Sequence, residues 1–280
     1  MPDFPPIKAC IFDVDGLLIN SEDIYSQTMN NVLHEYGLPD IPWSVKAMQQ
    51  SRGRQGFINV MQWANLPITV DEFQAKVSTQ RDPFKNCELL PGVQQLLYNL
   101  SERVQSSPPH LAIASSAERD FFKLKTDRFR SVLSVIPEHH RVFGHDPSMA
   151  GCKGKPAPDI FLQTLQRING SLGADEAQSR PEECLVFEDS IAGVEAGRAA
   201  GMRVVWVPHP GLLEVYRGRE EMVLNGGLLD EDAAMVGSFP TSSEGEIEER
   251  GPVISKDGRA RLVTSLEDFP YAYYGLRIRH

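Results

Sequence analysis

The feature that most constrains this 280-residue chain is a short apolar run, Ile7-Lys8-Ala9-Cys10-Ile11-Phe12, that ends in Asp13-Val14-Asp15-Gly16. A run of that length reads as a buried strand, with two acids delivered to a loop at its carboxyl end. Three further runs follow after residue 91, at 110–114, 184–187 and 203–207, each preceded by a helix-like stretch (93–100, 159–168 and 193–200). Strands alternating with helices of these lengths imply right-handed crossovers and a mostly parallel sheet covered on both faces. The expected fold class is therefore α/β, a Rossmann-like doubly wound sheet.

Between the first strand and the rest lies a segment of different character. The polar group Asn20-Ser21-Glu22-Asp23 precedes Tyr25, Met29, Val32, Leu33 and Tyr36, a helix stripe closed by Gly37 and Pro39. The pattern stays helical to about Pro91. The chain thus divides into a core of residues 1–20 and 91–280 and an inserted helical cap of residues 21–90, expected over the carboxyl ends of the strands. Residues 219–258 read as a flexible acidic insertion, rich in Gly, Ser, Pro and acid. The apolar pattern returns at 261–264 as a C-terminal strand and at 266–276 as a core-packed segment.

Charge excludes some classes of function. The net charge is −10, and residues 230–250 alone carry −6 of it, so the remainder is nearly balanced. An acidic balance argues against nucleic acid or an anionic membrane as the main partner. The apolar runs are too short to span a bilayer, and the start does not read as a signal peptide. The four cysteines are scattered, with Cys10 and Cys184 in strand-like runs where a free buried thiol is expected. A cytoplasmic (or also nuclear) protein, monomeric or weakly dimeric, is the expectation.

In open parallel sheets, ligands bind outside the carboxyl ends of the strands. There the sequence delivers Asp13 and Asp15, then Ser115 and Ser116, then Glu188 and Asp189, with Lys155 at the entry to the helix beginning near Asp159. Taken singly, each has an ordinary counterpart: a turn, a helix cap, favourable charge at a helix start, a surface lysine. Together they place four carboxylates, two hydroxyls and one ammonium on one edge. Clustered carboxylates repel and are costly to bury unpaired. A hard divalent cation resolves this, and Mg²⁺ takes few protein carboxylates plus water and phosphate oxygens. Lys155 and Ser115 would then donate to a phosphoryl group. One acid of the D-x-D pair would act as nucleophile and the other as general acid/base.

Two other patterns carry no chemistry. The stretch around Gly154-Lys155-Pro156 lacks the first glycine and the Ser/Thr of a P-loop. His139, His140 and His145 have no metal-ligand spacing and read as a surface loop.

The segments FDVDG, LAIASS, GKPAPDIF and VFEDSIAGVEAGRAAGM, in this order and spacing, strongly resemble the four motifs of the haloacid dehalogenase superfamily. The resemblance implies Asp13 as a nucleophile forming an aspartyl-phosphate, and Asp15 as acid/base and backbone-carbonyl metal ligand. It implies phosphate binding by Ser115 and Lys155, with Ser116 beside them, and a Mg²⁺ site completed by Asp189 with Glu188 close by. Within the superfamily the chain is similar to the helical-cap subclass I group that includes β-phosphoglucomutase and pseudouridine 5′-phosphatase. DGLLINSEDIY, FFKLKTDRF, ECLVFEDSIAGVEAG and the terminal SLEDF…YGL are closer to the phosphatase. Arg52 and Arg54 fall where caps of this group touch substrate, which makes Arg54 a candidate substrate contact. The implied function is Mg²⁺-dependent hydrolysis of a small phosphomonoester, a nucleoside or sugar phosphate. A phosphosugar mutase and a non-enzymatic protein with a vestigial site are the alternatives.

Overall fold

Six parallel strands form one sheet in the order β3-β2-β1-β4-β5-β6 in the computed structural model, which describes residues 4–105, 107–227 and 251–279. They are β1 (Ala9–Phe12), β2 (His110–Ser115), β3 (Arg141–Phe143), β4 (Cys184–Glu188), β5 (Arg203–Trp206) and β6 (Ala260–Leu262). The chain starts in the middle, builds outward through β2 and β3, then returns to the other side of β1 with β4. A crevice opens where the order reverses, at the carboxyl ends of β1, β2 and β4.

Alternation along β1 explains why the strand is apolar throughout. Cys10 and Phe12 enter one core, with Leu111, Ile113, Leu185 and Phe187. Ala9 and Ile11 enter the opposite core, with Val186, Val204 and Trp206. The first core is closed by α5 (Val93–Tyr98) and α6 (Arg119–Thr126), together with Leu266, Phe269 and Tyr274 of the C-terminal segment. Phe12 stacks on Phe187 at 4.6 Å, and Phe187 meets Phe269 at 5.3 Å, so the terminal segment is a core element as expected. The second face is covered by α8 (Asp159–Gly170) and α9 (Ile191–Ala199).

Residues 21–78 supply α1 (Ser21–Glu35), α2 (Trp43–Ala47), α3 (Gly53–Ala64) and α4 (Val70–Ser78). They bury an apolar cluster of their own: Met29, Val32 and Leu33 of the predicted stripe, with Val60, Phe73 and Val77. Asn20 does not cap α1 with its side chain. Its N–H donates to the Glu88 carbonyl at 3.0 Å and its Oδ1 accepts the Glu88 N–H at 2.7 Å. The two chain crossings between sheet and helices are thereby tied together.

One strand is added and two expectations are corrected. β3 has only three residues, too short a run to stand out from sequence. His140, just before it, is buried rather than in a surface loop, whereas His139 and His145 are exposed. His140 Nδ1 donates to the Leu111 carbonyl at 3.1 Å, and Nε2 lies 2.8 Å from Ser171 Oγ. Finally, residues 220–225, placed in the flexible insertion, form a helix, α11 (Glu220–Asn225; α7 is Arg130–Leu133 and α10 is Pro210–Val215), with Val223 and Leu224 fully buried. Two apolar residues in a charged stretch suffice to dock one turn and a half. The −6 segment, 230–250, lies outside the described residues. Among these, no helix is long and apolar enough to cross a membrane.

Burial of His140 lowers its pKa. The native state then resists a proton that the unfolded chain accepts below about 6.5, so this residue's contribution is present above that pH and lost below it. In urea unfolding, the advantage of the wild type over His140→Gln is expected to be larger at about pH 8 than at about pH 5. An advantage that grows on acidification would contradict a neutral buried imidazole.

Candidate active site

Strand register brings the acids together. Phe12 lies opposite Phe187 on one side and Ile113 on the other. The next residues, Asp13 and Glu188, therefore leave neighbouring strand ends side by side, and Asp13 is level with Ala114. Asp13, Glu188 and Asp189 are all buried, and each places a carboxylate oxygen within 4.8 Å of the others'. Lys155 reaches in from the loop before α8, and is itself buried. Its Nζ donates to Asp13 Oδ1 at 2.5 Å and to the Ala114 carbonyl at 3.3 Å, and lies 2.6 Å from Glu188 Oε1.

The electrostatics follow from three acids facing one cation in a dry space. Burial pushes the Asp13 carboxyl up to about 7; Lys155 opposes the rise, and Glu188 and Asp15 add to it. Burial with Glu22, Glu188 and Asp13 nearby holds Asp189 well above the usual carboxylate range. Burial also works against the Lys155 charge, but Asp13 and Glu188 outweigh it and hold its pKa above the ordinary value. Without a further cation, the site favours the protonated forms of Asp13 and Asp189.

Two glycines make room for this cluster. A Cβ on Gly16, whose φ is +80°, would sit 2.3 Å from Asp189 Oδ2, and one on Gly193 would sit 1.9 Å from the Glu188 carboxyl carbon. Gly193 also belongs to the first turn of α9, where its N–H donates to Ser190 Oγ at 3.0 Å. The Ser190 hydroxyl in turn bonds Glu188 Oε2 at 3.2 Å. Asp189 is anchored by Trp206 Nε1, which donates to its carbonyl at 2.9 Å. The Asp189 side chain accepts Gln50 Nε2 on Oδ2 at 3.0 Å, while Oδ1 is buried without a hydrogen-bond partner among the described residues. A hard, oxygen-only donor set with one orphaned oxygen fits Mg²⁺.

The remaining predicted residues divide. Ser115 is buried at the end of β2, where its Oγ accepts the Ala117 N–H at 3.2 Å. Ser116, one residue on, is exposed. Asp15 turns its carboxylate away from the acid cluster: Ser21 Oγ donates to Oδ1 at 2.6 Å, and Lys125 Nζ donates to both oxygens. Arg54 is not brought to the acids. Its guanidinium pairs with Asp71, and the two side chains are 55% and 77% exposed. The resemblance makes it a candidate substrate contact by its place in the cap; here a neighbouring acid on α4 takes it.

Sequence reasoning missed Lys125, Ser21 and Gln50 as site residues, along with the buried ion pair of Lys46 with Glu22 at 2.8 Å. FFKLKTDRF carries part of the family resemblance but gives its second lysine no role. Ser21 had been read as part of a helix start, and Gln50 carried no signal.

Comparison with known proteins agrees with this geometry. Residues 10–207 match the family model described as haloacid dehalogenase-like hydrolase. A probable pseudouridine-5′-phosphatase of Saccharomyces cerevisiae is 37% identical over 225 residues, 80% of this chain and 92% of that protein. A mitochondrial (DL)-glycerol-3-phosphatase of Arabidopsis thaliana is 33% identical, covering 80% of this chain and 71% of that one. The crystal structure of a HAD family hydrolase from Deinococcus radiodurans, with bound phosphate and sodium, superposes with a TM-score of 0.60 at 26% identity, over 98% of this chain and 99% of that one. With its four motifs assembled at the switch point of a parallel sheet, the chain belongs to the haloacid dehalogenase-like hydrolase family, as one of its phosphatases.

Proposed function

We propose that this phosphatase hydrolyses a small phosphomonoester, a nucleoside or sugar phosphate, with Mg²⁺ and through an aspartyl-phosphate on Asp13. The observation that carries the reading is the Asp13 carboxylate, buried at the strand end between Lys155 and the oxygens of Glu188 and Asp189. Asp13, Glu188 and Asp189 would hold the ion, joined by the Asp15 backbone carbonyl. When bound, Mg²⁺ supplies positive charge against the phosphoryl oxygens.

An Asp13 oxygen attacks phosphorus in line, and the bond from phosphorus to the ester oxygen breaks. Asp15 gives its proton to that leaving oxygen. Water then attacks the phosphorus of the aspartyl-phosphate and Asp15 takes its proton, while the bond to Asp13 breaks and phosphate is released. Lys155 Nζ donates to the phosphoryl oxygens throughout. Ser115 adds a second donor, since its Oγ accepts from Ala117 and its own O–H is left to give. The helices over the crevice exclude bulk water around the reacting group. The names of the yeast and plant relatives support pseudouridine 5′-phosphate first and glycerol 3-phosphate second as substrates.

Phosphate release from a panel of phosphomonoesters tests the class. Asp13→Asn is expected to lower kcat by on the order of 10³-fold or more while the protein stays folded; activity surviving this change, or surviving chelation of Mg²⁺, would sink the mechanism. Isomerised product from β-glucose 1-phosphate, in place of phosphate release, would instead make the chain a mutase. Arg54→Ala is expected to leave kcat/KM nearly unchanged, because an exposed ion pair contributes little; a large rise in KM would return Arg54 to the substrate site.

Metal binding has its own signature in thermal unfolding. Asp13, at about 7, and Asp189 keep protons that the unfolded chain releases. Metal-free stability therefore falls as pH rises from the ordinary carboxylate range through about 7. Mg²⁺ competes with those protons. The rise in Tm on adding Mg²⁺ is expected to be larger at about pH 8 than at about pH 5, reaching about 2.7 kcal/mol of stability at a hundred times Kd. An equal rise at both pH values would count against these acids as ligands.

A further inference from the structure

Lys125 is as buried as any residue in the molecule, and no motif assigns it a role. It stands near the end of α6, on the sheet side of the crevice, with no exposed surface. Its Nζ donates to both oxygens of Asp15, at 2.6 Å to Oδ2, and lies 3.3 Å from the Tyr25 hydroxyl. The Phe121 ring, 4.7 Å from Nζ, and the Tyr25 ring, at 5.4 Å, wall it from water. From the opposite side Ser21 Oγ donates to Asp15 Oδ1 at 2.6 Å. The two acids of the D-x-D pair, two residues apart, are therefore held by two different lysines on two different elements. Asp13 is given to Lys155 and the acid cluster; Asp15 is given to Lys125 and Ser21.

A purely structural ion pair in so dry a place is a poor source of stability, since desolvating both charges offsets their attraction. What the arrangement does supply is direction. A carboxylate gripped on both oxygens has little rotational freedom, and proton transfer requires the acid within hydrogen-bond reach of the reacting oxygen. We propose that Lys125 is a positioning residue for Asp15: its ammonium, with the Ser21 hydroxyl, fixes the orientation from which the carboxyl exchanges a proton with the leaving oxygen and then with water. This rests on the reading of Asp15 as the acid/base. The clamp also spans the two parts of the molecule. Lys125 grips from the sheet side, whereas Ser21 is the first residue of α1, just past the crossing tied by Asn20 and Glu88. A shift of the helices relative to the sheet therefore reaches the Asp15 carboxylate directly.

The test uses the full chain, Mg²⁺ and p-nitrophenyl phosphate as a general phosphomonoester, with pseudouridine 5′-phosphate alongside. Lys125→Met, close in shape but neutral, is expected to lose on the order of 10²-fold in kcat, the cost of a misplacement of about 1 Å. KM does not rise, and the half-saturating Mg²⁺ concentration stays within about twofold, because neither substrate nor metal is held by Lys125. The fraction of enzyme carrying phosphoryl label after acid quench in steady state rises, as hydrolysis of the aspartyl-phosphate slows. Lys125→Arg recovers part of kcat, a rescue that lost packing alone would not give. Unchanged kcat, or a loss shared equally by KM and metal affinity, overturns the proposal. Should Lys125→Met fail to fold by circular dichroism, Lys125→Gln, which keeps an amide donor but no charge, decides it on the same readings. A failure of the underlying reading looks different: the wild type releases no phosphate, or Asp13→Asn still does.

Discussion

Everything at the crevice depends on one electrostatic constraint: three carboxylates share a dry space with a single ammonium. Asp13, Glu188 and Asp189 cannot all ionise beside Lys155 alone at modest cost. The fold accepts this burden at the point where its strand order reverses. There the ends of β1 and β4 lie side by side, and backbone hydrogen bonds from Asp13 N–H to the Phe187 carbonyl and from Val207 N–H to the Glu188 carbonyl hold the acids in place. The sheet thus fixes the backbone while the charges stay in tension, and a divalent cation with a phosphoryl group would relax it.

Burial on both faces of the sheet is what lets such a cluster persist. Phe12 and Phe187 stack directly beneath Asp13 and Glu188, on the side closed by Phe269 and Tyr274. Ile11, Val186 and Trp206 seal the other side. The C-terminal segment is accordingly part of the floor of the site. Its aromatic residues Phe269 and Tyr274 are themselves buried and stacked on each other, with Phe269 in contact with Phe187.

Much of this was legible in the sequence because it is local. Apart from Lys8 and His110 at their starts, the runs 7–12, 110–114 and 184–187 are apolar since both faces of the sheet are covered, and the polar residues that end them mark the strand ends. Asp13, Ser115, Glu188 and Asp189 follow from those ends, and Lys155 from its place at the entry to the helix near Asp159. What escaped depends on contacts distant in sequence. Lys125 meets Asp15 across 110 positions, and Gln50 meets Asp189 across 139; neither pairing leaves a periodic trace. β3 was hidden by its three-residue length, and α11 by the charged stretch around it. Arg54, a candidate substrate contact only through the family resemblance, pairs instead with Asp71 across 17 positions, a contact equally without periodic trace.

The two glycines that face the acids have a consequence for how variation in this chain should be interpreted. Gly16 and Gly193 have no side chain to take part in chemistry, yet each marks a wall against which a carboxylate lies. A single methyl group at either place would displace Asp189 or Glu188 as surely as a change to the acid itself. An alanine there, which most scales of residue similarity treat as mild, would force one of the buried acids out of its place. Inactivating variants of such an enzyme therefore extend beyond its chemical groups to the empty volumes that those groups occupy.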